Sequence, residues 1–235
     1  MKFLANLASM VTKPKPLVGS TPADVEGGLM AILYRPVGLE ELVRLHESGM
    51  TAFPPRLPDQ PIFYPVLNEA YAQQIARDWN TRSGARAGFV TRFEVDEAYV
   101  ARFARQVVGG REHEELWVPA EELAAFNAHL VAPVVVTGAF FGEPYAGRPG
   151  QFNLKGKTAG EQLVALDGLE AYSGFDFAYE VPANHVTVFA NFFYWEHPEA
   201  RIDLDPGRRE RILGVIRARW AASACAAVPL GVAAR

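Results

Sequence analysis

Between Leu29 and Gly142 the apolar residues come in short runs separated by stretches in which they recur at helical spacing. This alternation constrains the fold more than any other feature of the chain. LMAILYRPV (29–37) is short enough for a buried strand and ends near Pro36. GFVTRFEV (88–95) has a period of two, with Phe89, Thr91, Phe93 and Val95 on one face and Val90, Arg92 and Glu94 on the other. IFYPV (62–66), ELWVP (115–119) and PVVVTGAFFG (133–142) complete a set of five strands. Helices are expected between them. One runs from Gly38 to His46, opened by Glu40 and Glu41. A second is capped by Asn68, with Ala72, Ile75, Ala76 and Trp79 on its apolar stripe. A third is capped by Asp96, and AEELAAFNAHL (120–130) forms the fourth. Pro54, Pro55, Pro58 and Pro61 force 51–61 into irregular chain, a candidate lid if ordered.

Composition punctuates the rest. Residues 1–28 read as a short N-terminal helix followed by a Pro- and Gly-rich linker, 29–142 as the first domain and 143–150 as a second linker. Residues 151–222 read as a smaller α+β unit. In it a helix around Ala159–Leu166 leads to FDFAYEV (175–181) and VTVFANFFYW (186–195), two runs joined by Pro182-Ala183-Asn184-His185 and expected as a β-hairpin. Asp205 as N-cap and Pro206 at the first helical position begin a last helix, with Ile212, Ile216 and Trp220 on one stripe. Residues 223–235 are expected as a tail, and no internal repeat links the halves.

With 49% hydrophobic residues in 235, the chain can bury a full core without staples. The single cysteine, Cys225, excludes an intrachain disulfide and a cysteine-based zinc cluster, which fits a reducing cytoplasm. MKFLANLASMV is followed by no small-residue cleavage site, and no uninterrupted apolar stretch reaches the ~18 residues of a span. A cytoplasmic protein with no membrane partner is expected. The net charge of −4 argues against a surface built to coat phosphate backbones. Residues 201–235 nevertheless carry seven Arg against three acids, a basic segment able to meet an anionic partner or to serve as a solvated helix face.

The chain contains no GxGxxG between strand and helix, no GxxxxGK[ST], no GxSxG and no HExxH. Its five histidines lack close ligand spacing, so no metal site is expected. What remains is a set of polar residues on the expected strands: Arg35 ending the first, Tyr64 in the second and Glu115 opening ELWVP. A charged or phenolic group on an apolar strand must find a partner or a cleft. An Arg35–Glu115 ion pair beside a core tyrosine satisfies that need, and so does a shared binding cleft.

The series LYRP, FYPVLNEAYAQQIA, GFVTRFEVDEAYV, EELWVPAEELAAFN and PVVVTGAFFG resembles the ADP-ribosyltransferase fold over about residues 29–142. More narrowly, LYRPVG, FPPRLPDQPIFYPV and ELWVPAEEL resemble bacterial proteins labelled ADP-ribosylation/crystallin J1. The second half of that label points to all-helical, metal-dependent glycohydrolases, whose acidic motifs this strand-rich sequence lacks. The resemblance implies an α+β fold with a split mixed sheet, NAD as substrate, no metal, and an acceptor that is protein, nucleic acid or small molecule. It assigns Glu115 as the catalytic carboxylate, Arg35 to the NAD ribose or diphosphate, and Tyr64 to stacking on nicotinamide. Arg56 and Thr91 border the implied NAD cleft. Glu114 is the neighbouring alternative to Glu115, and alternation along the strand sends it to the opposite face. His113 stands where the family commonly has Glu or Gln, two residues before the catalytic Glu. The competing expectation is a catalytically inactive binding or immunity-type protein on the same fold, with Arg35 and Glu115 as a structural pair.

Overall fold

A computed structural model describes residues 29–110 and 113–233, so the expected N-terminal segment 1–28 lies outside the described residues. The elements in chain order are β1 (Met30–Gly38), α1 (Leu39–Glu47), β2 (Ile62–Phe63), α2 (Glu69–Asp78), β3 (Ala87–Asp96), α3 (Glu97–Val100), β4 (Arg105–Val107), β5 (Glu114–Leu116), β6 (Val118–Pro119), α4 (Leu123–Ala128) and β7 (Val135–Phe141). Four helices follow: α5 (Ala159–Tyr172), α6 (Gly174–Ala183), α7 (His185–Glu196) and α8 (Pro206–Ala221). The chain is an α+β protein with small antiparallel sheets.

The main sheet has the order β1-β3-β7, with Met30 opposite Asp96 and Gly38 opposite Gly88. The period-two pattern of β3 holds: Phe89, Thr91, Phe93 and Val95 are all buried. Asn68 and Asp96 cap α2 and α3 as expected, each side chain accepting a backbone N–H of the first turn. α2 crosses the second face of the sheet on Tyr71, Ala72 and Ala76, packed against Val66 and Val90. Gly88 permits this approach, because a Cβ there would lie 2.1 Å from the Ala76 carbonyl oxygen. Trp79, expected on the buried stripe, falls past the end of α2 and is exposed.

The expected hairpin at 175–195 is the main error of the sequence reading: both runs are helical. In α6 the buried positions are Phe177, Glu180 and Val181, a helical spacing that the alternation of FDFAYEV hides. α7 is buried nearly all round, from Thr187 through Phe193 to Trp195. A helix buried on every side has no polar face, so its sequence looks like a buried strand. Pro182 sits inside α6, where its ring removes the N–H that the Ala178 carbonyl would receive. Arg219 Nε of α8 donates to that carbonyl instead, at 2.8 Å.

The two expected units share one hydrophobic core. Phe89 of the sheet packs edge-on against Phe193 of α7 with centroids 5.4 Å apart, and His46 of α1 stacks on Phe189 at 4.2 Å. Residues 143–150, expected as a linker, are fixed to the helices. Asn191 accepts from the Arg148 N–H at 2.7 Å and donates to its carbonyl at 2.9 Å, while Thr187 donates to the Pro149 carbonyl at 2.8 Å. Gly147, at φ +86, fits only because it has no Cβ, which would lie 2.6 Å from Ala159 Cβ. The expected tail also packs back. Trp220 Nε1 donates to the Val228 carbonyl at 2.7 Å, and the Ala233 N–H reaches Val136 of β7 at 2.8 Å.

The basic run belongs to α8, begun as expected by Asp205 and Pro206. Each of its five arginines has an intramolecular partner. Arg208 and Arg211 meet Asp167, Arg217 meets Glu196, Arg209 donates to the Trp195 and His197 carbonyls, and Arg219 to Ala178. The stripe ties α8 to α5, α6 and α7 through half-exposed guanidiniums. Among the described residues no helix is long and apolar enough to cross a membrane.

Candidate functional site

The edge of the sheet beyond β1 is built through one residue. Val66 exchanges backbone hydrogen bonds with Tyr34 at 2.8 and 2.9 Å, and on its other side it is bridged to Glu115. The Leu116 N–H donates to Pro65 and the Leu67 N–H to Glu114, at 2.8 and 3.1 Å. Directly opposed residues point to the same face of a sheet. Tyr34, Val66 and Glu115 therefore face α2, while Arg35 and Leu116 face the main core. This parity decides between the neighbouring glutamates: Glu115 is 7% exposed, whereas Glu114 is half-buried opposite Val107. It also removes the expected Arg35–Glu115 ion pair.

Glu115 Oε1 accepts from the Tyr71 hydroxyl of α2 at 2.9 Å. Among the described residues no cation bonds to this carboxylate. Burial first, and then the Glu115 charge and its hydrogen bond, push the Tyr71 hydroxyl far above the ordinary phenol range. Tyr71 stays neutral and donating. On its ring lies His113, stacked at 4.1 Å and 11°.

Arg35, also 7% exposed, is held as a fork on Glu41 of α1, with Nε 2.6 Å from Oε1 and a terminal nitrogen 3.1 Å from Oε2. Its other terminal nitrogen donates to the Tyr64 carbonyl at 3.2 Å, and the guanidinium carbon lies 4.5 Å from the Phe63 ring centre. Thr91, expected at the ligand cleft, is fully buried and donates to the Arg35 carbonyl at 2.8 Å. A side chain sealed there anchors the strand and touches no ligand. Arg56, in the Pro-rich loop, donates to Gln60 at 2.7 Å and to the Ile62 carbonyl at 3.2 Å, so the loop is tied to itself. Burial lowers the Arg56 pKa, and neighbouring Arg35 lowers it further against the opposing pull of Glu41, Tyr64 and Asp59.

Tyr64 is where these two sides meet. Its ring stands edge-on to Trp117 at 6.0 Å. Burial raises its hydroxyl pKa, Glu115 raises it again, and Arg56 and Arg35 pull it back down. One phenol thus feels both the carboxylate and the two guanidiniums. The indole N–H of Trp117 and one carboxylate oxygen of Glu69 are buried without a partner among the described residues.

Of the residues expected in the site, Arg35, Arg56, Tyr64 and Glu115 share this edge, and Thr91 only supports it. Glu41, Tyr71 and Trp117 were missed, and His113 was noted only as a departure from the family pattern. A tyrosine within the apolar spacing of α2 was the available signal for Tyr71, since a buried hydroxyl needs an acceptor. Among the described residues no three His, Cys, Asp or Glu side chains are placed to share a metal ion. None of the expected site residues lines the two clefts of about 440 and 620 Å³ at the α5 end of the molecule. The chain matches no family model, no curated protein and no solved structure.

Proposed function

We propose that the chain is an ADP-ribosyltransferase-like protein that cleaves the nicotinamide–ribose bond of NAD and passes ADP-ribose to an acceptor. The observation that supports this reading is the grouping of charged and aromatic side chains at one sheet edge. Arg35 is paired with Glu41, and Arg56, bonded to Gln60 and the Ile62 carbonyl, lies near Glu41 and Asp59; Tyr64 stands edge-on to Trp117; and Glu115 has no counter-charge bonded to it among the described residues. NAD presents the same three needs, with its ribose joining the diphosphate to the nicotinamide. Its diphosphate is an anion that suits an excess guanidinium, and its nicotinamide is a flat ring that suits aromatic walls. The ribose gains positive charge as the bond breaks, which suits a fixed carboxylate. A unit-charge pair at about 4 Å and an effective dielectric of about 20 contributes roughly 4 kcal/mol, about a thousandfold in rate.

A second reading has its own observation. The Arg35 fork is already filled by Glu41, and Arg35 and Glu115 point to opposite faces of the sheet. A protein that kept the fold for binding and lost turnover would carry such a closed pair. Nicotinamide release from NAD by the purified protein separates the two. The enzyme reading expects release that drops about a thousandfold in Glu115→Gln and about tenfold in Arg56→Ala. Absence of release, together with no NAD-induced rise in melting temperature, overturns it in favour of the binding reading.

A further inference from the structure

Where the end of β7 meets α5 and α7, the surface opens into a cleft of about 440 Å³, within the size range of small-molecule sites and separate from the Glu115 edge. Its floor is one aromatic knot. The Phe141 ring centre lies 4.7 Å from Tyr145, 5.1 Å from Tyr194 and 5.3 Å from His197, the last two edge-on. The floor is held rigidly. The Tyr145 hydroxyl donates to buried Asn191 at 3.1 Å, and the Tyr194 hydroxyl accepts the Arg201 N–H at 3.0 Å. Burial holds the His197 imidazole below its ordinary range against the pull of Glu199, so the ring adds no positive charge at neutral pH.

The rim sets the sign. Arg201 is paired with Glu143, and those two charges cancel. Glu199 lines the same cleft, and among the described residues its carboxylate has no hydrogen bond or ion pair. The nearby N-terminus of α5 holds no vacancy for an anion, because Glu161 closes a capping box with Thr158, accepting its N–H at 2.8 Å. An aromatic floor under one unpaired carboxylate attracts positive charge through both the ring quadrupoles and the acid.

We propose that this cleft binds a small organic cation, an ammonium or amidinium group carried on an apolar body. The test is a titration of the full chain with benzyltrimethylammonium chloride, followed by NMR and calorimetry, beside sodium benzenesulfonate at matched ionic strength. Saturable binding of the cation, at least ~10-fold tighter than the sulfonate, is expected. Glu199→Gln, an exposed change that leaves the melting temperature in place, is expected to weaken the cation ~5-fold. Tyr194→Phe retains binding and Tyr194→Leu loses it. No saturation by ~20 mM cation, equal affinity for the sulfonate, or unchanged affinity in folded Glu199→Gln overturns the proposal, with no dependence on how Tyr194→Leu folds.

Discussion

Glu115 in the sheet half and Asp167 in the helical half are both buried and are held in opposite ways, while Glu180 of α6, also buried, is bonded only to the neutral amides of Asn153 and Asn184. Asp167 in α5 is fully buried and meets two guanidiniums, Arg208 and Arg211, the latter at 2.7 Å. Glu115 in β5 is almost as deep, yet its bonded partner is the neutral hydroxyl of Tyr71. A buried charge with its counter-charge beside it is what a stable fold requires. A buried carboxylate with only a phenol beside it lacks that compensation. The contrast shows Asp167 as an ion-paired anchor between α5 and α8, and Glu115 as a buried acid held by a neutral donor.

The sharpest way to break this contrast is to remove each acid. Asp167→Ala leaves two arginines without their shared anchor and opens a polar hole beneath α8. A loss of about 3 kcal/mol is expected, read from the urea midpoint at neutral pH. A loss below ~1 kcal/mol would mean that the half-exposed arginines simply return to water, and the contrast would fail.

The next test addresses the seam where the halves join. His46 stacks on Phe189, its Nδ1 lacks a partner, and burial, helped by His185, lowers its pKa to about 4. The folded state therefore resists protonation while the unfolded chain accepts a proton near the ordinary value of about 6.5. Stability from this group is complete above about pH 6.5 and falls toward pH 4, with a slope approaching ~1.4 kcal/mol per pH unit. Denaturation midpoints measured from pH 7 to pH 4 should lose that slope in His46→Phe. An equal slope in the variant assigns the acid sensitivity elsewhere.

Smaller effects sharpen the Glu115 side. Tyr71→Phe removes the donor to a buried carboxylate and should cost about 1–2 kcal/mol by chemical denaturation, an effect that shrinks when Glu115→Gln is also present. Glu115→Gln alone is expected to leave stability within ~0.5 kcal/mol of the parent or to raise it, because no counter-charge is stranded. A loss above ~2 kcal/mol would make Glu115 a structural acid after all.

Local signals in the sequence carried far, and long-range ones did not. Asn68, Asp96 and Asp205 mark helix starts with side chains that bond their own first turn, and Pro206 suits the first helical position by its fixed φ, so their meaning is complete within a few residues. The alternation of β3 was equally self-contained. α7 defeated the same reading because burial on every side erases the period, and its only polar inner residues, Thr187 and Asn191, hold a distant segment. At the candidate site the residue types were legible but their faces were not. Whether Glu115 looks toward Tyr71 or toward Arg35 depends on the bridge through Val66, a pairing between stretches nearly fifty residues apart. Glu41 escaped notice because an acid in the first turn of a helix has a sufficient local explanation.

The hydrogen bond from Ala233 to Val136 carries a lesson about time. β7 emerges from the ribosome long before residue 233 exists, and the aromatic partners of Phe89 and His46 emerge almost as late. The sheet cannot finish folding as it is made, so its apolar face must wait, exposed, for the helices that cover it. A nascent chain halted near Gly142 would be a client for chaperones rather than a working domain. Any shortened version of this protein inherits that vulnerability.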